Sequence, residues 1–421
     1  MKSALNEFGI DLSADIVAST HDGASMMLKY GRLITCHSQL CLIHAIHLAV
    51  TKVFYKKLPS QFVHESEEEE DENLEWSEGE LSDVENEISP DLFLNETINE
   101  KLQQARKLVK FFNRSPVKNA TLQKFVIESH KTELKLILDI KTRWNSILAM
   151  AKRLVRLESC IEKSLTELND SHLFDSSLFR FLQQLIDCLQ PVEEAILYIG
   201  RKNVTLLEAE GALKFVFSSL QKSKHQISLD LSDALEDEIS KRRSKDVVSL
   251  MKFLQTKAWD FLKFNTNGLF PYSSKSQIYR TALEFYHQLT GEVQLEDDIL
   301  SSGEFEEPIQ QTEPGSLKHF IDEEMSFKSE ATSNFDMKSE FTLSSTNKCL
   351  TSKLEFLNDA LSTIQPSSIS SERAFSVASS FMPKDRNRMG HELHGALIFL
   401  REYFHKKEKE ATDNSKMIRI E

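Results

Sequence analysis

Apolar residues recur along most of this chain at intervals of three and four, the spacing of one helix face. Leu102, Ala105, Leu108, Val109 and Phe112 mark such a face over residues 95–113, and Ser115-Pro116 ends it. A further helix is predicted over 117–130. Ile147, Ala151, Leu154, Leu157 and Ile161 predict one long amphipathic helix over 144–168. Further helices are predicted near 176–200, 206–222, 233–242 and 245–264, and Pro191 should kink or split the first of them. Leu354, Leu357 and Leu361 mark another helix. Leu393, Ala396, Leu397, Leu400, Tyr403 and Phe404 mark a last one.

Strand signals are few. Ile16, Val17, Ala18, Ser19 and Thr20 form a short run closed by His21-Asp22-Gly23, which predicts a buried strand and a tight turn. A short helix over 23–30 should follow. Residues 38–56 carry Leu40, Ile43, Ile46, Leu48, Val50, Val53 and Phe54 and predict a helix. Residues 134–138 are a second strand candidate. The fold class expected is mixed α/β and predominantly α.

Composition sharpens this picture. The 421 residues are 40% hydrophobic, enough for a sizeable core. Only 12 Gly and 9 Pro disfavour a turn-dense sandwich or barrel. No run of 18 apolar residues is present, so no membrane-spanning helix is expected. The first residues lack a basic stretch followed by an apolar core, so no signal peptide is expected. Five cysteines, an odd number in a long chain, point to free thiols in a reducing compartment.

The net charge of −14 is concentrated in one place. Residues 65–87 hold 13 acidic side chains and no Lys or Arg, which leaves the other 398 residues at −1. The acidity therefore does not exclude nucleic acid. Ser66, Ser77 and Ser82 each have a Glu three residues later, a pattern that suits an acidophilic kinase. The plainer reading is a solvated spacer. The divisions expected are 1–57, a linker over 58–94, 95–143, an all-helical part over 144–290, a polar Ser-rich disordered stretch over 291–345, 346–406, and a polar tail over 407–421.

Several residues could carry chemistry. Asp22 follows a strand and precedes a helix, where open α/β sheets place functional carboxylates; Asp before Gly is also an ordinary turn dipeptide. Cys36, His37, Cys41, His44 and His47 could converge on zinc, yet they match no standard zinc spacing, and Cys41 and His44 fall on an apolar stripe that suits a core. Ser371 reads as an N-cap for a helix starting at Glu372, which gives that carboxylate a structural explanation. Arg143 and Trp144 could hold a phosphate and stack on an unpaired base; Trp144 could equally be a core anchor. Basic clusters over 101–114, 143–156 and 384–388 are sparse, so phosphate binding should be weak and salt-sensitive.

Taken in order, five stretches resemble a hAT-superfamily transposase, of the zinc-finger BED-type-like kind without its N-terminal part. They are Ser19-Thr20-His21-Asp22-Gly23-Ala24-Ser25, then Cys41-Leu42-Ile43-His44-Ala45-Ile46-His47, then Thr142-Arg143-Trp144-Asn145-Ser146, then Leu189-Gln190-Pro191-Val192-Glu193-Glu194, and last Ser370-Ser371-Glu372-Arg373-Ala374-Phe375-Ser376. Arg386-Asn387-Arg388-Met389 and the final helix also fit.

The resemblance implies an RNase H-like core interrupted by a large all-helical insertion, with a C-terminal dimerisation region. It also implies DNA cleavage by two Asp and one Glu around Mg or Mn. On it, Asp22 resembles the second carboxylate and Glu372 the third, and both would be metal ligands only together with a first Asp. Trp144 resembles a base-stacking Trp. The family's first Asp lies on a strand well upstream of the Asp22 motif, and 21 residues precede Asp22 here.

The expectation is therefore a truncated core, a non-cleaving nuclear protein without a cofactor, and action through a homodimer. Phe375, Leu397, Leu400 and Phe404 are the expected dimer contacts, although such positions could also face the chain's own core. DNA remains a candidate partner; a membrane or a small-molecule substrate is not expected. Two alternatives stand: a fragment of an active transposase, and a non-catalytic nucleic-acid-binding module.

Overall fold

The computed structural model describes residues 5–57, 92–94, 96–140, 144–256, 270–291, 337–347, 349–373 and, in a C-terminal helical stretch, 395–397, 399–401, 403, 404 and 407. In chain order the elements are β1 (Ala18–His21), α1 (Ser25–Leu33), β2 (His37–Leu40), α2 (Leu42–Phe54), β3 (Tyr55–Lys57), β4 (Leu92–Leu94), α3 (Glu96–Asn113), α4 (Pro116–His130), α5 (Trp144–Arg156), α6 (Glu158–Glu167), α7 (Ser176–Ile199), α8 (Leu206–Ser223), α9 (Gln226–Ser240), α10 (Lys245–Thr256), α11 (Lys275–Thr290), α12 (Met337–Asn347) and α13 (Ser352–Ser362). The described residues are predominantly helical. None of their helices is long and apolar enough to cross a membrane.

The chain divides into two compact units. One comprises residues 1–40, 205–207 and 243–365; the other comprises 41–204, 208–242 and 366–421.

The first unit is built on a β–α–β element. β1 and β2 pair in parallel, from Ala18 beside His37 to His21 beside Leu40, with α1 as the crossover. α1 lies tight on the strands because residue 31 is Gly: a Cβ there would sit 3.0 Å from His21 Nε2 and closer still to Ser38 Oγ. β2 was not visible as a strand, since its residues fell inside the predicted helix over 38–56; the helix begins only at Leu42. Gln39 is fully buried in β2. Its amide accepts from Ser244 Oγ at 2.8 Å, and the same hydroxyl lies 3.1 Å from His37 Nε2. Burial pushes the His37 imidazole below its usual pKa.

The helices of this unit supply its core. Val247, Leu250, Met251 and Leu254 of α10, Ile278 and Phe285 of α11, and Leu354, Leu357 and Leu361 of α13 are buried. Phe341 of α12 meets Phe253 at 4.8 Å and Tyr279 at 4.6 Å between ring centroids. α12 corrects the expectation of disorder up to residue 345. Met337, Phe341 and Ser344, spaced as one helix face, are all buried.

Among its described residues, the regular structure of the second unit is helical apart from the short antiparallel pair β3–β4. α2 is buried on most sides, through Leu42, Ile43, Ala45, Ile46, Ala49, Val50 and Phe54, and packs against α9 and α7. α5 packs along α7, and α4 pairs with α3 and α6. Ser115 caps α4, accepting from the Lys118 amide at 3.4 Å. The helix predicted over 144–168 is two helices, broken at Leu157 (φ −102°, ψ 10°). α7 runs unbroken through Pro191.

Residues 134–138 form no strand. Side chains take the place of ladder partners: Gln123 both accepts from the Leu134 amide (3.3 Å) and donates to its carbonyl (3.1 Å). Arg153 donates to the Lys135 carbonyl, and Asn113 to that of Leu136 at 3.5 Å. Arg106 then grips Asp139 through two hydrogen bonds of 2.8 and 2.5 Å, with the carboxylate fully buried.

Candidate functional site

Asp22 stands at the carboxyl end of β1, in the first unit. Its Oδ1 accepts from the Ala24 amide at 2.9 Å, and Gly23 takes a positive φ of 89°. This is an Asx turn that starts α1, so the carboxylate does structural work at its place.

Glu372 belongs to the second unit, in a helical turn over residues 369–373. The sequence expected Ser371 to cap this turn. Ser368 does so instead: its carbonyl accepts from the Ser371 and Glu372 amides at 2.9 and 3.1 Å. Its hydroxyl donates to Glu372 Oε1 at 2.6 Å. Arg373 donates to the Gly200 carbonyl at 3.1 Å. The turn is also tied to α2, because the Leu42 amide donates to the Pro366 carbonyl at 2.9 Å.

Cys41 caps α2, its sulfur accepting from the His44 amide at 3.5 Å and from the Ser368 amide at 3.4 Å. A side chain aimed at two backbone donors behaves as a structural thiol. Among the described residues, no group of three or more His, Cys, Asp or Glu side chains could hold a metal ion. The cysteines are all free, and four are buried. Burial pushes the Cys188 thiol up to about 12 and raises that of Cys36, which removes them as nucleophiles near neutrality.

Trp144 opens α5 and is fully buried. Its indole Nε1 finds no acceptor among the described residues. No face of the ring is open to a base in this conformation. Arg143 lies outside the described residues, as does Phe375. Beside Trp144, Ser146 Oγ accepts from the Ile140 amide at 2.8 Å and donates to its carbonyl at 2.9 Å. The Tyr55 hydroxyl is buried without a partner among the described residues; its pKa is raised by burial and then by the Asp139 charge.

The C-terminal helical stretch presents a different surface. Leu397 is half-buried, while Leu400 is 45% and Phe404 58% exposed. Phe399, at 68% exposure, was not singled out in the sequence, and Tyr403 is 44% exposed. Phe399 and Tyr403, one turn apart, stack at 6.3 Å, and the Lys407 ammonium lies 5.1 Å from the Tyr403 ring. At about 100° per residue these side chains share one face of the helix. A contiguous exposed aromatic stripe is the kind of surface that marks an interaction site.

Comparison with known proteins bears on part of the chain. Residues 83–177 match the family described as the ZBED1 RNase-like helical domain. That region holds β4, α3 to α6 and Trp144, but not Asp22, Glu372 or the exposed stripe. The chain is also 25% identical over 190 residues to tpeD of Talaromyces stipitatus, a protein named as a candidate transcriptional regulator. The alignment takes in 45% of this chain and 21% of that protein, so the chain spans about a fifth of the length of this relative.

Proposed function

We propose that this chain is a transposase-derived, regulator-type nuclear protein that does not cleave DNA and acts by self-association through its C-terminal helix. On this reading an RNase H-like remnant, with the β1–α1–β2 element as its sheet, carries a helical insertion, and the C-terminal segment corresponds to the hAT dimerisation region. One observation carries the reading: Phe399, Leu400, Tyr403 and Phe404 form a single exposed apolar stripe. Covering four large side chains of this kind removes apolar area from water at about 25 cal/mol per Å², a gross gain from which the cost of association is subtracted. The match to the RNase-like helical domain and the similarity to a regulator support the transposase-derived half of the reading.

On this reading the two remnant carboxylates keep structural roles: Asp22 starts an Asx turn and Glu372 accepts from Ser368. The test pairs two measurements on the full chain. Sedimentation velocity should give a dimer, and a supercoiled plasmid incubated with manganese should not be nicked.

A second reading, a fragment of an active transposase, is favoured by the position of Asp22 at the carboxyl end of a strand in a parallel pair. Manganese-dependent nicking that disappears in Glu372→Gln would replace the first reading by this one.

A further inference from the structure

Lys241-Arg242-Arg243 is the one run of three consecutive Lys or Arg residues in the chain, and Ser244 follows it. The run falls between α9 and α10, outside both helices. Lys241 is exposed and pairs with Asp237 and Glu238 at 2.8 and 2.9 Å. Exposed pairs of this kind contribute little and exchange readily for a partner's carboxylates. Arg243 is engaged in place: it donates to the Pro271 carbonyl at 3.0 Å, and its guanidinium lies 5.5 and 5.6 Å from the Phe270 and Tyr272 rings.

Ser244 starts α10, where its carbonyl accepts from the Val248 amide at 3.0 Å. Its half-buried hydroxyl ties α10 to β2. It donates to the Gln39 amide oxygen at 2.8 Å and lies 3.1 Å from His37 Nε2.

We infer that Ser244 is a phosphorylation site for a basophilic protein kinase, and that the phosphate releases α10 from β2. An acidic substrate groove on the kinase reads Lys241 and Arg242, three and two residues before the serine. The tie to Gln39 and His37 covers the hydroxyl, so the kinase takes a locally opened form of the turn. Ser244 Oγ attacks the γ-phosphorus of ATP. The new O–P bond forms as the bond from that phosphorus to the β,γ-bridging oxygen breaks. ADP leaves, and the hydroxyl proton passes to the kinase's base.

The phosphate does not restore the tie. Ser244 no longer has an O–H, so the buried Gln39 oxygen loses the hydroxyl that donates to it. The phosphate oxygens bring close to two negative charges against that oxygen, with the Asp246 carboxylate two residues on. Turned outward, the phosphate meets the exposed Lys245 and the α10 N-terminus instead. The modification therefore traps the opened turn.

The experiment incubates the full chain with the catalytic subunit of a basophilic kinase and magnesium ATP, and locates phosphate by peptide mass spectrometry. Phosphate should appear at Ser244 and be absent there in Ser244→Ala. Lys241→Ala/Arg242→Ala keeps the hydroxyl and should be modified at least ~10-fold more slowly. The phosphorylated chain should melt at least ~3 °C below the unmodified one, while Ser244→Ala should melt alike before and after incubation.

A full chain that stays bare at Ser244, while a synthetic peptide of residues 238–250 is modified there, overturns the site, because the turn then does not open. Phosphate confined to other residues overturns it as well. Equal rates for the parent and Lys241→Ala/Arg242→Ala overturn recognition through the basic run. A chain that takes the phosphate but melts unchanged or higher, as when His37 takes up a proton and pairs with it, overturns the release.

Discussion

Ser368 and Glu372 form a closed pair one helical turn apart: the serine hydroxyl donates to the carboxylate at 2.6 Å while the serine carbonyl accepts from the Glu372 amide at 3.1 Å. The residue that the resemblance makes a metal ligand is thereby engaged by its own helix start. Glu372→Gln and Ser368→Ala should each destabilise the chain by about 1–2 kcal/mol, the range for a hydrogen bond to a charged group. Because both remove one bond, the double variant should cost less than the sum of the singles. Urea denaturation of all four proteins checks this, and strictly additive losses would count against the pair.

The Arg106–Asp139 pair should matter more. Its carboxylate is fully buried and held by two hydrogen bonds, so removing one partner leaves an uncompensated charge. Arg106→Met alone should cost about 3–5 kcal/mol, and adding Asp139→Leu should recover much of it. Denaturation midpoints of the single and double variants measure the difference. A double variant no better than the single would show that the pair does more than neutralise itself.

Gly31 sets how closely α1 approaches its strands. Gly31→Ala places a methyl group against Ser38 Oγ and His21 Nε2 and should destabilise by about 1–3 kcal/mol. A melting temperature equal to that of the parent would mean that α1 shifts freely.

His37 gives the first unit a pH dependence. Burial lowers its pKa, so between that value and the unfolded value of about 6.5 the unfolded chain binds a proton that the folded chain does not. Stability from this group is therefore complete above the unfolded pKa and declines as pH falls below it. The melting temperature of His37→Gln should drop less than that of the parent between pH 7 and pH 5. Parallel curves for the two proteins would contradict the assignment.

The sequence revealed these elements where local pattern decides them. β1, the turn at Asp22 and the helices α3, α4 and α7 follow from periodicity, the Ser115 cap and Pro116. It failed where the deciding partner is remote. Gln39 is polar yet buried in β2 because Ser244, 205 residues away, satisfies its amide. Residues 134–138 have a strand's composition, but Gln123 and Arg153 hold their backbone groups. The break at Leu157 was hidden because that side chain stays buried on the same stripe. Periodicity also marks an apolar face without saying what covers it. The same signal therefore described fully buried Ile147 and exposed Phe404.

The exposed stripe is the centre of this account, and its most direct test is the mass of the full chain in solution. Light scattering at tens of micromolar should give twice the 48.3 kDa chain mass. Phe399→Glu/Phe404→Glu should return the mass to that of one chain that still melts cooperatively, because both residues are exposed within the chain and only the stabilisation from association is lost. A parent chain that is monomeric under these conditions, or a dimer untouched by the two substitutions, would contradict it.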